Sequence, residues 1–224
     1  MSITIQINQL EKSVQHEGNH TTLLSLPHYV IESGEQVAMM GASGSGKTTF
    51  LELLAGITTP SAGSILLNDW LFHELRDNER SHIRLEKMGL VLQDFMLFPH
   101  LTVEENVLYV YEQYKDKMNT LLTSLRIQHL RKKKVKHLSK GEQQRVAITR
   151  ALLHEPSFLL MDEPTSNLDP ATARVIIQTI QEEAKKTGAT LLIVTHDEKV
   201  ANCFPRTDNM EKLNFAYNHQ EALL

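Results

Sequence analysis

Apolar positions along the chain fall into three kinds of pattern. Near the N-terminus they alternate with polar ones. ITIQINQL (3–10) and TLLSLPHYVI (22–31) therefore read as antiparallel strands, each with one buried face, and ESGE (32–35) reads as a turn. Short unbroken apolar runs follow: QVAMMG (36–41), GLVLQ (89–93), SFLLMDEP (157–164) and TLLIVTHD (190–197). These have the length of buried strands. Helical periods lie between them. One opens at the glycine-rich GASGSGKT and is closed by Gly56. Another is DPATARVIIQTIQEEAKKTG (169–188), with Asp169 as N-cap, Pro170 in the first turn and Gly188 as terminator. Buried strands alternating with helices predict a mostly parallel sheet covered on both faces. From Asp94 to His154 the pattern changes to helices and loops, with capping boxes at Thr102/Glu105 and Ser139/Glu142. The expected architecture is one α/β domain over 1–224. Residues 1–93 and 155–224 form its core, with an N-terminal antiparallel portion, and 94–154 form an inserted helical subdomain.

Composition narrows the picture. The chain has 224 residues, 41% of them hydrophobic, enough for a sizeable core. A net charge of −4 argues against a dedicated nucleic-acid binder, which is usually basic. Cys203 is the single cysteine, so there is no internal disulfide framework, and a reducing compartment is expected. The N-terminus lacks the basic and apolar regions of a signal peptide. No apolar run reaches the roughly 18 residues that span a bilayer. The expectation is a chain soluble by itself, in the cytoplasm. The basic run RIQHLRKKKVKHLSK (126–140) has no interleaved aromatics for stacking on bases. It reads as a solvated loop or, functionally, as an approach to anionic lipid headgroups.

GASGSGKT fits G-x-x-x-x-G-K-[ST], with a strand before it and a helix after it. Gly41, Ala42, Ser43, Gly44, Ser45 and Gly46 form a loop whose backbone N–H groups close around phosphate oxygens. The following helix adds its positive N-terminus. Lys47 reaches the β- and γ-phosphates, Thr48 offers a hydroxyl to Mg²⁺, and Thr49 contacts the α-phosphate. Asp162 and Glu163 end another buried strand, at the same carboxyl edge of the sheet, where α/β proteins bind ligands. Asp162 then suits Mg²⁺, and Glu163 suits an attacking water as general base. His196 leaves the next strand at that edge, placed to hydrogen-bond a γ-phosphate or hold the water. Gln93 also follows a strand, and its amide can touch Mg²⁺ or the water and report to the helical insertion.

In order along the chain stand GASGSGKT, the glutamine of VLQDFMLFPHLTVEENV, LSKGEQQR, FLLMDEP, SNLD and the histidine of VTHD. This set resembles the ATP-binding subunits of ABC transporters, from about residue 3 to residue 200. The resemblance implies a P-loop NTPase core that binds ATP and Mg²⁺ and hydrolyses ATP as a head-to-tail dimer. Ser139, Lys140, Gly141 and Glu142 would then face the nucleotide bound to the partner subunit, and Asp169 would couple the two sites along the interface. It also implies a separate integral-membrane permease, which would hold the chain on the inner face of the cell membrane. Phe95, Met96, Leu97 and Phe98 are candidate permease contacts or, equally, core residues of the insertion. The signature departs from the common LSGGQ, with Lys140 and Glu142 replacing Gly and Gln. The aromatic that stacks on adenine in the family falls near Val14, with His16 the nearest ring. The tail, 200–224, lacks the family's closing strand-and-glycine pattern. Within the family, GASGSGKTT and the short length look most like the lipoprotein-release and macrolide-exporter group. FPHLTVEENV looks equally like polar amino-acid importers. A non-transport ABC ATPase, or an ATP-switched scaffold, is a further alternative.

Overall fold

The computed structural model describes residues 3–16 and 19–217. The chain runs β1 (Ile5–His16), β2 (Asn19–Ile31), β3 (Gln36–Met40), α1 (Lys47–Leu54), β4 (Ala62–Leu67), β5 (Trp70–Leu71), α2 (Asp77–Lys87) and β6 (Met88–Val91). The middle holds α3 (Val103–Leu108), α4 (Lys115–Ser124) and α5 (Lys140–Leu153), joined by 3-10 turns. Then come β7 (Phe158–Asp162), α6 (Pro170–Thr187), β8 (Thr190–Thr195), α7 (Glu198–Ala201), β9 (Arg206–Asn209) and α8 (Met210–Leu213).

Two sheets result. The antiparallel one has the order β2-β1-β4-β5, and the other, parallel throughout, has the order β6-β7-β8-β3-β9. Every residue of β7 and β8 is buried. The period of two still sorts them between two cores. Leu159, Met161, Leu191 and Ile193 face the cluster built with α3, α4, α5 and α6. Phe158, Leu160, Leu192 and Val194 face the cluster built with α1 and the antiparallel sheet. The helical insertion therefore shares one continuous core with the sheet. α5 crosses between them. It closes onto β6, where a Cβ on Gly89 would lie 2.3 Å from the Ala151 carbonyl.

Several elements differ from the sequence pattern. β6 stops at Val91, so Gln93 lies two residues beyond the strand, exposed. β4, β5 and α2 have no counterpart in the apolar periodicity: α2 has no buried residue, β5 is exposed at both positions, and β4 buries only Ile65 and Leu67 of its six residues. The tail, which carried no recognisable strand, supplies β9, paired with β3 from Val37↔Arg206 to Met40↔Asn209. Arg206 there makes an ion pair with Glu35 at 2.9 Å and another within β9 with Asp208 at 2.9 Å, so a short polar strand is held by its backbone bonds to β3 and by the Glu35 pair. The His16 side chain and residues 218–224 of the tail lie outside the described residues.

Candidate active site

In a parallel sheet all carboxyl ends open at one edge. β3 delivers Gly41–Thr49 there, β7 delivers Asp162 and Glu163, and β8 delivers Thr195 and His196. β6 brings Gln93 to the same edge beside β7.

The loop from Gly41 wraps the start of α1. Gly46 is the N-cap, at φ 98°, a left-handed conformation that a side chain would strain. No side chain caps α1, which leaves its first amides for a ligand. Lys47 is buried and donates from Nζ to the carbonyls of Gly41 at 2.7 Å and Ala42 at 2.8 Å. Burial pushes its pKa down, against the opposing pull of the Glu163, Asp162 and Glu211 carboxylates. Ser45 Oγ is buried without a hydrogen-bond partner. Thr48 Oγ1 donates to Asp162 Oδ2 at 2.9 Å. Burial raises the Asp162 pKa, and that Thr48 bond offsets part of the rise. A cation in a glycine loop, free helix amides and a hydroxyl–carboxylate pair fit a phosphate chain with Mg²⁺.

Glu163 sits one residue beyond β7 at φ 48°, which is uncommon for a side-chain-bearing residue. Its N–H still donates to the Val194 carbonyl at 3.0 Å. The side chain is held from three directions. Oε1 takes the His196 N–H at 3.0 Å and contacts His196 Nδ1 at 2.6 Å, while Oε2 accepts from Thr195 Oγ1 at 3.2 Å. Glu163 and His196 are thus one unit, with the imidazole exposed at the site's rim.

LSKGEQQR forms the N-terminus of α5. The capping box is present: the Glu142 N–H donates to Ser139 Oγ at 3.3 Å, and the Ser139 N–H donates to Glu142 Oε2 at 2.7 Å. Glu142 is thereby bound to its own helix. Its pKa is lowered, first by the Ser139 N–H and then by the Ser139 hydroxyl and nearby cations, against its own partial burial. Lys140 is exposed, its Nζ 6.0 Å from the Phe95 ring centroid. Gly141 has a steric reason of its own. A Cβ there would lie 2.7 Å from the Asn167 carbonyl of SNLD. Asp169 is exposed and caps α6, accepting from the N–H of Ala171 at 3.1 Å and Thr172 at 3.0 Å.

Two sets of contacts were not anticipated from the sequence. Gln144 is fully buried on α5, donates to the Glu163 carbonyl at 2.7 Å and accepts from the Asn167 N–H at 3.4 Å. It ties the N-terminal part of α5 to the backbone of Glu163. Its sign in the sequence is a second glutamine on the inward face of a helix. Glu211 and Asn214 of the tail also reach the phosphate loop. No pattern in the sequence points to them. The apolar stretch after Gln93 divides: Phe95 is buried and Leu97 partly so, while Met96 and Phe98 are 64% and 44% exposed. Val14 is 39% exposed near the end of β1.

The ABC transporter family model matches residues 26–166. The lipoprotein-releasing system ATP-binding protein LolD of Saccharophagus degradans is 39% identical over 188 residues, covering 81% of this chain and 82% of that protein. The ABC transporter ATP-binding protein YxdL of Bacillus subtilis is 35% identical over 204 residues, covering 88% and 79%. Among solved structures, the dimeric ATP-binding cassette MJ0796 in a post-hydrolysis state, bound to ADP and Pi, superposes with a TM-score of 0.86 at 32% identity, over 92% of this chain and 93% of that one. The chain belongs to the ABC transporter family, as one of its ATP-binding subunits.

Proposed function

We propose that this chain is the ATPase of a transporter of the lipoprotein-release and macrolide-export kind. Two copies bind MgATP, close head to tail and hydrolyse it to drive a separate membrane permease at the inner face of the cell membrane. The single observation that carries the hydrolysis is Glu163, a carboxylate oriented by Thr195 and His196 beside the Thr48–Asp162 pair. The names of the relatives carry the lipoprotein-release reading.

In this reading Gly41–Thr49 cradle the phosphates, and Lys47 neutralises charge that develops on them in the transition state. Thr48, Asp162 and Gln93 would hold Mg²⁺, which would spread that charge further when bound. Glu163 takes the proton of the attacking water, and His196 fixes the carboxylate's rotamer. Ser139, the Gly141 N–H and the α5 dipole complete the site of the opposite copy. Asp169 lies along that interface. Residues 94–154 act as the moving subdomain against a core of 1–93 and 155–224.

A groove of about 360 Å³ runs between that subdomain and the core, lined by Leu85, Phe98, Tyr109, Val110 and His154. Tyr109 and Val110 are exposed beside Phe98, and the Phe98 and Tyr109 rings lie 4.7 Å apart. An exposed apolar cluster of this kind suits a short amphipathic helix of a permease. No helix among the described residues is long and apolar enough to cross a membrane. The test is co-purification from detergent-solubilised membranes of the source cell. A permease with few membrane helices and a large extracytoplasmic domain is expected. A many-helix permease travelling with a solute-binding protein would make the chain an importer subunit. ATPase activity with no membrane partner would end the transporter reading.

A further inference from the structure

β9 is the fifth parallel strand and lies against β3, so its carboxyl end opens beside the phosphate loop. The chain turns at once into α8, capped by Asn209, whose Oδ1 accepts from the Glu211 N–H at 2.8 Å. Two side chains of this segment grip the loop. Glu211 Oε1 accepts from the Ala42 N–H at 2.5 Å. Asn214, only 1% exposed, uses its whole carboxamide. Its Nδ2 donates to the carbonyls of Ser45 and Leu23, both at 3.0 Å. Its Oδ1 accepts from the N–H of Ser25 at 2.9 Å and of Ala216 at 3.1 Å. One buried amide thus joins the phosphate loop to β2 and to the tail, with both donors and both lone pairs used.

The Ser45 contact has a direct consequence for anion binding. Across a trans peptide the carbonyl and the next N–H point in opposite directions. Anchoring the Ser45 carbonyl outward aims the Gly46 N–H into the loop. There is no slack in this contact, since a Cβ on Gly46 would lie 3.0 Å from Asn214 Nδ2. Met210 packs beneath, 3.3 Å from where a Cβ on Gly41 would stand. Glu211 meanwhile places a carboxylate on the same loop, in the field that Lys47 feels.

We propose that Asn214 is a positioning residue for nucleotide binding, and that Glu211 weakens the loop's attraction for phosphate by its charge. The proposal rests on the phosphate loop being the ATP site. The two residues act in opposite senses, which loss of fold stability does not produce. The experiment measures MgATP dissociation constants by calorimetric titration, with melting temperatures and steady-state KM and kcat, for the full chain and two variants. Asn214→Ala is expected to raise Kd and KM about tenfold, a larger change than in kcat, because an unanchored Ser45 carbonyl lets the Gly46 N–H turn away. Glu211→Gln keeps an acceptor for the Ala42 N–H and removes the charge. It is expected to tighten MgATP several-fold at low salt and less at high salt. An Asn214→Ala protein that melts lower yet binds MgATP like the parent would reduce Asn214 to a structural role. An unchanged Kd in Glu211→Gln would overturn the charge effect, and it decides alone if Asn214→Ala does not fold. A parent chain that fails to bind MgATP would instead strike at the ATPase reading itself.

Discussion

Glu163 shows how much of this site is set one residue at a time. Its left-handed backbone turns the carboxylate under His196 and Thr195, so its direction is fixed before any substrate arrives. Glu163→Gln keeps the shape and the Thr195 bond but removes the base. We expect ATP turnover to fall about 10²-fold or more, with MgATP binding retained and the dimer accumulating on a sizing column. Near-parent turnover would remove Glu163 from the role of general base. Gln144 is the second test at this scale. Gln144→Leu removes the buried donor to the Glu163 carbonyl, which keeps the Ser166 N–H and hydroxyl at 3.2 Å, and also the acceptor of the Asn167 N–H. That costs about 1 kcal/mol of stability by chemical denaturation, and turnover falls with it because Glu163 moves.

At the scale of elements, the groove between the helical subdomain and the core contains a group that titrates against folding. His154, at the end of α5, stacks on Tyr111 with centroids 4.7 Å apart, and neither ring nitrogen has a hydrogen-bond partner. Burial pushes its pKa down to about 4, and the nearby Lys117 charge acts in the same direction. An unfolded histidine titrates near 6.5. Between those values the unfolded chain binds the extra proton, so stability rises with pH across that window. The penalty for acid is absent above about pH 6.5 and is complete below about pH 4. His154→Phe keeps the stack and removes the proton site. Its stability should fall less than the parent's from pH 6.5 to 4, and equal slopes in urea melts would show that His154 titrates freely. The basic run is also resolved at this scale. Glu104 of α3 binds both Arg131 and Lys132 at 2.5 Å, and these bonds lower its pKa to about 2. Part of the run is therefore the tether between α3 and the loop before α5, rather than free surface charge.

At the scale of the whole molecule, the proposed function makes one chain the bearer of two half-sites: the phosphate loop with its carboxylates, and the N-terminus of α5. The head-to-tail reading predicts complementation. Lys47→Ala and Ser139→Arg should each abolish turnover alone. Mixed, they form heterodimers in which one composite site has an intact Lys47 from one copy and an intact Ser139 from the other. Turnover should reappear in the mixture above either variant by itself. A mixture as inactive as its components would mean that each copy completes its own site.

Much of this protein is determined locally and is legible in the chain. The glycine loop, the capping boxes at Thr102 and Ser139, the Asp169–Pro170 start and the Gly188 stop depend on contacts within a few residues, and all form where the sequence puts them. The buried strands β3, β7 and β8 are legible because a strand covered on both faces must be apolar throughout. What the chain does not reveal depends on partners distant in sequence. β9 is polar and short, and is a strand only because β3 offers it an edge. Gly141 reads as a bare helix start until the Asn167 carbonyl is seen against it. Asn214 lies 169 residues from Ser45, and nothing near it in sequence signals the contact. Local hydrogen-bond rules and burial periodicity write the elements. Only close packing decides which polar side chain of one meets the backbone of another, and here that packing shapes the phosphate loop.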